Sequence, residues 1–119
     1  LLPMKNEKFI LLKKSKQFCL NIDNIVVNFP KKEYVIKEKI LSDSLNILEL
    51  IIFTNYDKQN SNRIESKQKI LTKISMLDFY LEYLYTKKII NIKVFNKIAN
   101  ELNELSRLTY AWLKDENRV

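Results

Sequence analysis

The sequence contains no glycine and no histidine, and it has one cysteine among 119 residues. The lack of glycine excludes phosphate-binding loops, dinucleotide-binding fingerprints and nucleophile elbows, because these need glycine where the backbone meets a phosphate or turns sharply. The lack of histidine removes the commonest general base near neutral pH and the commonest metal ligand. A lone cysteine, Cys19, cannot form an internal disulfide or a thiolate cluster. These absences argue against an enzyme.

The acidic residues and the cysteine do not form a credible active site either. Glu101 and Glu104 lie three residues apart in a helical pattern, and the helical wheel places them opposite the apolar seam. Asp78 and Glu82 also face outward in this projection, and Cys19 falls on an apolar side, where it is a small core residue. We therefore predict no catalytic residues, no metal and no cofactor.

The charge of the chain favours a polyanionic partner. There are 21 basic and 14 acidic residues, which gives a formal net charge of +7, and this points to nucleic acid. The excess of lysine over arginine, with abundant isoleucine and asparagine, also indicates an AT-rich genome, so codon drift can supply part of the charge. No apolar run approaches the roughly 20 residues of a membrane span, and no secretory leader is visible. We expect a cytoplasmic protein without membrane contact.

Apolar periodicity predicts four helices in a single domain, and their approximate bounds are 6–28, 32–55, 63–88 and 92–114. Pro30 ends the first helix, since proline donates no backbone hydrogen bond and restricts the residue before it. Asn62 and Glu65 have the spacing of a capping box for the third helix, and Asn91 can cap the fourth. Short connections make successive helices antiparallel, so the predicted fold is all-α: an antiparallel up-down-up-down four-helix bundle.

The second helix has two adjacent apolar rows. We assign the core seam to the row Leu41, Leu45, Leu48 and Ile52. The neighbouring row consists of Ser44 with three isoleucines: Ile40, Ile47 and Ile51. Because a helix that is apolar on two sides usually has two partners, these isoleucines are predicted to join subunits of a homo-oligomer. The alternative is one wide seam deep in the core of a monomer.

The third helix interleaves lysine with tyrosine at helical spacing. Ammonium groups neutralise phosphates while aromatic rings stack on bases, so this stripe suits nucleic acid. Together with the basic residues of the first helix, the predicted nucleic-acid-binding set is Lys13, Lys14, Lys16, Lys67, Lys69, Lys73, Tyr80, Tyr83, Lys87 and Lys88. The first and third helices are diagonal in a cyclic bundle, so a single patch would require oligomerisation. The alternatives are tyrosines at a bundle edge covered by lysines, or a scattered, solvated lysine coat.

Several segments together resemble a known family. They are Ile25–Tyr34, with its sequence IVVNFPKKEY, the apolar run Leu45–Tyr56, the seam Ile70–Leu84, and Phe95–Lys114 with Trp112 near its end. This pattern, from about Phe18 to Lys114, is similar to a family of small, basic four-helix bundles. The family includes the accessory variability determinant proteins of diversity-generating retroelements and proteins encoded in ribosomal-RNA intervening sequences.

The resemblance implies a homopentameric ring with a basic surface. In the retroelement branch, such a ring binds a dedicated reverse transcriptase and its structured template RNA, and mutagenic retrohoming requires it. We favour this branch because the second apolar row supports assembly. The predicted function is a nucleic-acid-binding accessory protein of a reverse transcriptase, with RNA or an RNA–DNA hybrid as its ligand. The alternative is a non-catalytic helical interaction or scaffold protein of the intervening-sequence type, with no specific nucleic-acid role.

Overall fold

A computed structural model describes the backbone of residues 6–116 and the side chains of residues 10–115. This part of the chain is all-helical and has no strand. Its α-helices are α1 (Asn6–Val26), α2 (Tyr34–Tyr56), α3 (Asn60–Thr86) and α4 (Ile92–Glu116). Each helix packs against two others in the cyclic order α1, α2, α3, α4, and among the described residues the backbones of the diagonal pairs stay apart. The Cα atoms span 47 × 21 × 21 Å, so the predicted four-helix bundle is confirmed.

Proline separates α1 from α2 as the sequence predicts. Helix α1 ends at Val26, two residues earlier than expected, and the Phe29 amide donates a 3.0 Å hydrogen bond to the Val26 carbonyl. Pro30 is extended, with φ −56° and ψ 145°. A 3₁₀ turn, Lys31–Glu33, then leads into α2. The fixed φ of proline is compatible with this extended position and stops the first helix from continuing.

The predicted capping box at the start of α3 is wrong. The helix begins at Asn60, and the Asn62 side chain instead donates a 3.1 Å hydrogen bond to Oε1 of Gln59. Glu65 lies near Lys69, with Oε1 3.7 Å from Nζ. The reason is a tight turn before the helix, in which Asp57 Oδ1 accepts a 3.0 Å hydrogen bond from the Gln59 amide. This Asx-type turn reverses the chain within three residues, so the helix starts earlier than the capping pattern suggests.

Helix α3 ends without glycine in a turn that usually contains it. Lys88 has a positive φ of 61°. The Lys88 amide donates to the Tyr85 carbonyl at 3.0 Å, and the Ile89 amide donates to the Leu84 carbonyl at 2.9 Å. These are the two hydrogen bonds of a Schellman motif, with lysine in the left-handed position. Asn91 then caps α4 as predicted, because its Oδ1 accepts a 2.9 Å hydrogen bond from the Val94 amide.

One apolar core runs along the bundle. The apolar faces of α1, α3 and α4, whose residues recur every three or four positions, lie in it, and the residues that they bury are Leu11, Ser15, Phe18, Ile22, Ile70, Ile74, Leu77, Leu81, Leu84, Ile98, Leu102, Leu105 and Trp112. Ile25 and Phe29 are partly buried against this core. The spacing of three and four residues is sufficient to identify the inner face of these three helices.

The two rows of α2 are the reverse of the prediction. Ile40, Ile47 and Ile51 are 3%, 1% and 0% exposed, so they belong to the core of this chain and are not available to join subunits. In the row assigned to the core, Leu45 is 58% and Ile52 is 42% exposed. The leucine row looked more apolar because the isoleucine row contains a serine. Ser44 is buried, however, with its hydroxyl bonded to the Ile40 carbonyl at 2.7 Å, and its small side chain suits close packing of α1.

Candidate interaction surfaces

The basic residues of α1 lie on the surface. Lys13, Lys14 and Lys16 are all exposed, and Lys14 Nζ is 4.0 Å from Oε1 of Glu104 on α4. An exposed pair at this distance is weak and leaves the ammonium accessible to other anions. This part of the predicted nucleic-acid-binding set is therefore placed where a phosphate could reach it.

The stripe predicted on α3 does not form one accessible surface. Lys69 is exposed, but Lys73 is half-buried and its Nζ lies 3.2 Å from Oδ1 of the buried Asp43 on α2. Tyr80, predicted to stack on bases, is only 8% exposed and belongs to the core. Its ring cannot be a stacking platform on the surface of this chain. The assignment of Tyr80 to a nucleic-acid site is corrected on this ground.

The C-terminal end of α3 keeps part of the predicted lysine–tyrosine stripe accessible. Tyr83 is partly buried and its hydroxyl is 3.5 Å from Oε2 of Glu33. Lys87 is exposed, with Nζ 5.7 Å from the centroid of the Tyr83 ring, and Lys88 is exposed beside it. These two lysines lie far along the bundle from Lys13 and Lys16, and in the described residues α1 and α3 are diagonal helices whose backbones are not neighbours. The two basic groups are thus on separate parts of the chain, as the diagonal arrangement predicts.

Lys67 is in the interior and not on the surface. It is 0% exposed, and its Nζ donates a 2.7 Å hydrogen bond to the backbone carbonyl of Trp112. The same ammonium lies 4.5 Å from the centroid of the Trp112 ring. A buried ammonium needs such partners, and it cannot meet a phosphate outside the bundle. Lys67 is therefore withdrawn from the predicted nucleic-acid-binding set.

An apolar groove lies between α2 and α3, on the side of α2 that the sequence pattern assigns to the core. It has a volume of about 810 Å³. Leu45, Leu48, Ile52, Phe53 and Tyr56 form its apolar wall, and the rim includes Lys69 and Lys73. Leu45, Phe53 and Tyr56 are more than half exposed, at 58%, 56% and 55%. The two adjacent apolar rows of α2 indicate that one row lies outside the core. The sequence-based assignment places the wrong row inside, because Leu45 and Ile52 of the row assigned to the core are exposed.

The acidic residues and the cysteine have structural partners. Glu101 is partly buried and accepts a hydrogen bond from the Asn21 side chain. The prediction that Glu101 lies on the outer face of the bundle, opposite the core, is therefore only partly correct. Hydrogen bonds from Arg107, at 2.8 and 3.1 Å, hold the pKa of Glu104 below its usual range. Burial raises the pKa of the Cys19 thiol, which lies 3.3 Å from the Ser44 carbonyl oxygen. A raised thiol pKa reduces the thiolate fraction, so nothing here activates Cys19 as a nucleophile.

No three His, Cys, Asp or Glu side chains within the described residues are grouped as a metal site would require. None of the described helices combines the length and the hydropathy needed to span a membrane.

The fold places the chain among all-α, four-helix-bundle proteins. No protein family matches the sequence, and no curated protein matches it significantly. The chain is similar in structure to a protein of unknown function from the S23 ribosomal protein family of Bacteroides thetaiotaomicron. The TM-score is 0.84 with 22% sequence identity, and the likeness covers 92% of this chain and 99% of that chain. At this level of identity, the likeness shows the fold alone.

Proposed function

We infer that this chain acts by association: it is a non-catalytic helical bundle that assembles with copies of itself through the apolar groove between α2 and α3. The single observation that carries this proposal is the exposed apolar wall of that groove. Soluble monomers rarely leave a contiguous apolar surface of this kind uncovered, and such patches mark interaction sites. The polar rim that includes Lys69 and Lys73 around an apolar centre is the usual anatomy of a protein interface.

A second exposed apolar site favours a ring over a symmetric dimer. Leu20 on α1 is 63% exposed, and Val27, just beyond the end of α1, is 67% exposed. Neither residue lines the groove. When one surface of a subunit meets a different surface of the next, the contacts are head-to-tail and can close into a ring. The family resemblance adds a ring of five as the expected size.

The experiment is light scattering on two matched variants. Phe53→Glu places a charge in the groove, whereas Phe79→Glu places one at an equally exposed phenylalanine of α3 that does not line it; both rings are 56% exposed. We expect the wild type and Phe79→Glu to have the same oligomeric mass and Phe53→Glu to have a lower mass, with helical circular dichroism unchanged in all three. A wild type that is strictly monomeric at tens of micromolar, or equal masses for all three proteins, would contradict assembly through the groove.

The second candidate function is nucleic-acid binding as an accessory protein of a reverse transcriptase. The net charge of +7 and the exposed Lys13, Lys14 and Lys16 favour it. The family resemblance contributes the proposed partners, which are a reverse transcriptase and its template RNA or an RNA–DNA hybrid. Assembly and nucleic-acid binding are compatible, since a ring repeats each weak phosphate contact and raises the overall affinity.

Fluorescence anisotropy with a labelled structured RNA tests this second candidate. Because bound lysines release counterions, the logarithm of the association constant should fall linearly with the logarithm of the salt concentration. A flat salt dependence, or no binding at low salt, would remove nucleic acid from the proposed function and leave a protein-only scaffold. Co-purification with a reverse transcriptase encoded beside this gene would test the retroelement setting separately.

A further inference from the structure

One end of the bundle gathers lysines from segments that are distant in the sequence. The antiparallel order brings together the α1–α2 connection, the α3–α4 connection and the first turns of α4. All of the lysines in these segments are exposed, and we call the set the basic end: Lys31, Lys32, Lys87, Lys88, Lys93 and Lys97. The helical periodicity of α3 groups Lys87 with a stripe along that helix, and Lys88 is predicted only as a further basic residue of α3, so the sequence pattern alone does not indicate their grouping with the other four lysines.

Carboxylates are scarce at the basic end. Residues 86–97 contain no acidic side chain, and residues 27–34 contain only Glu33, which is close to the Tyr83 hydroxyl. In the described part of the chain, none of the six lysines forms an ion pair. At the opposite end, Lys58 and Lys114 are each adjacent in the sequence to an aspartate, Asp57 and Asp115, whereas only Lys32 of the six lysines at the basic end has an acidic neighbour, Glu33. The next carboxylates, on Asp23, Glu38 and Glu82, lie about one helical turn further along the bundle, so the positive charge is concentrated at the tip of the basic end.

Two exposed tyrosines accompany these lysines. Tyr34 begins α2 directly after the 3₁₀ turn that carries Lys31 and Lys32, and it is 66% exposed. Tyr85 lies in the last turn of α3, is 42% exposed and packs at a tilted angle against Phe95, with ring centroids 5.0 Å apart. Lysines that neutralise phosphates beside free aromatic faces are the combination that holds single strands, since every base can stack on a ring.

We propose that the basic end binds single-stranded nucleic acid, with its lysines at the phosphates and Tyr34 as a stacking surface for a base. This inference rests on the second candidate function and assigns that function to a surface. The bundle is 21 Å across, which matches about six phosphates at the stacked spacing of roughly 3.4 Å per strand. Six phosphate contacts to a single strand predict a salt slope of about −4.

Three double variants, each of which removes two positive charges, locate the binding surface. Lys31→Gln with Lys93→Gln changes the basic end, and Lys13→Gln with Lys16→Gln changes α1. Lys58→Gln with Lys114→Gln changes the opposite end and is the matched control, because both of its lysines are exposed and belong to neither surface. The probe is a fluorescein-labelled 12-nucleotide RNA without secondary structure, and anisotropy is measured at several salt concentrations. We expect the basic-end variant to bind about tenfold more weakly than the matched control, with a salt slope smaller by roughly 1.4, and the α1 variant to lose less affinity than the basic-end variant.

The outcomes separate this inference from the function on which it rests. No binding by the wild type would mean that the second candidate function itself fails. Binding that is weakened only by the α1 variant would keep nucleic acid as a ligand and overturn the assignment to the basic end. Equal weakening by all three variants would also overturn it, since it would indicate a diffuse lysine coat. Binding to phosphatidylserine vesicles that is lost in the basic-end variant, while RNA binding is unchanged, would assign the surface to a membrane.

Substitution of tyrosine tests the stacking part independently of charge. Tyr34→Ala should weaken binding of the single strand by about 5- to 150-fold, whereas Tyr34→Phe should retain it, because a base–aromatic stack needs the ring and not the hydroxyl. Tyr110→Ala is the control, since Tyr110 is also strongly exposed, at 56%, but lies towards the other end of α4. Equal affinities of Tyr34→Ala and Tyr110→Ala would overturn the stacking role.

Discussion

Lys67 and Trp112 are both completely buried, and the lysine ammonium donates a 2.7 Å hydrogen bond to the tryptophan backbone carbonyl. The ammonium also lies 4.5 Å from the centroid of the indole ring. Arg63, one turn earlier on α3, places its guanidinium 5.8 Å from the same ring and donates to the Asp57 carbonyl at 2.9 Å. These contacts link the start of α3 to the end of α4 and to the connection after α2. Lys67 therefore stabilises the packing of α3 against α4, although the charge pattern of the sequence predicted that it binds nucleic acid.

We predict that Lys67→Ala lowers the free energy of unfolding by about 3–5 kcal/mol, because breaking a buried charged contact leaves its partner unsatisfied. Lys67→Met keeps the volume and the apolar stem but leaves the same carbonyl without its ammonium donor, so its loss should be smaller, about 1–3 kcal/mol. Urea unfolding followed by circular dichroism measures both. At protein concentrations too low for assembly, Lys69→Ala, on the exposed side of the same helix, is the control and should change stability by less than about 0.5 kcal/mol. Similar values for Lys67→Ala and Lys69→Ala would mean that Lys67 is not buried.

A second prediction concerns the inner face of α2. Ile47→Ala should destabilise the chain by about 2–5 kcal/mol, as truncation of a buried aliphatic side chain does. At protein concentrations too low for assembly, Leu45→Ala should cost less than about 0.5 kcal/mol, since Leu45 is 58% exposed in the single chain. Leu81 on α3 is 2% exposed, so Leu81→Ala serves as the reference for a buried position and should also cost about 2–5 kcal/mol. The opposite order for Ile47 and Leu45 would restore the leucine row to the core.

The sequence predicts the fold well where polarity and periodicity agree. On α3 and α4 the apolar positions alternate with clearly polar ones, so only one face can be the inner face. Pro30 and Asn91 act through local backbone chemistry, and this is why the break before α2 and the cap of α4 could both be read without knowledge of the packing. These elements depend on neighbours in the sequence and not on which helix lies opposite.

The errors arise where the deciding contact is distant in the sequence. Both rows of α2 are apolar, so periodicity cannot choose between them, and the choice depends on how α1 and α3 pack. Lys67 looked like a surface residue, although it precedes Ile70 by three positions and thus extends the apolar seam of α3 backwards. Tyr80 likewise falls between Leu77 and Leu84 at helical spacing. If the three- and four-residue spacing of the α3 seam is continued through polar and aromatic positions, it includes Lys67 and Tyr80 and predicts that both are buried.

A third prediction concerns the titration of Glu104. Its lowered pKa is caused first by the hydrogen bond from Arg107, with a smaller coulombic contribution from Lys14. Arg107→Gln should therefore raise the Glu104 pKa towards its ordinary value, and Lys14→Gln should raise it less. Because the folded-state pKa is lowered, the stabilisation from this pair is present at neutral pH and is lost as the pH falls through the lowered pKa. Carbon-13 NMR titration of the Glu104 carboxyl measures the shift. A larger effect of Lys14→Gln would contradict the order of the two causes.

The fourth prediction uses the left-handed turn at the end of α3. Lys88 has a φ of 61°, where a side chain beyond Cα is unfavourable and glycine is not. Lys88→Gly should therefore stabilise the chain by about 0.5–1 kcal/mol, since relief of the left-handed strain exceeds the extra entropy of glycine in the unfolded state. Lys87→Gly removes the same charge one residue earlier, where φ is −79°, and there glycine should destabilise by about 0.5–1 kcal/mol.

Thermal unfolding of the two variants under one set of conditions compares them directly. The opposite signs distinguish a backbone effect from a charge effect, because loss of lysine–lysine repulsion would shift both variants in the same direction. If Lys88→Gly proves as destabilising as Lys87→Gly, α3 does not end in the Schellman motif described above.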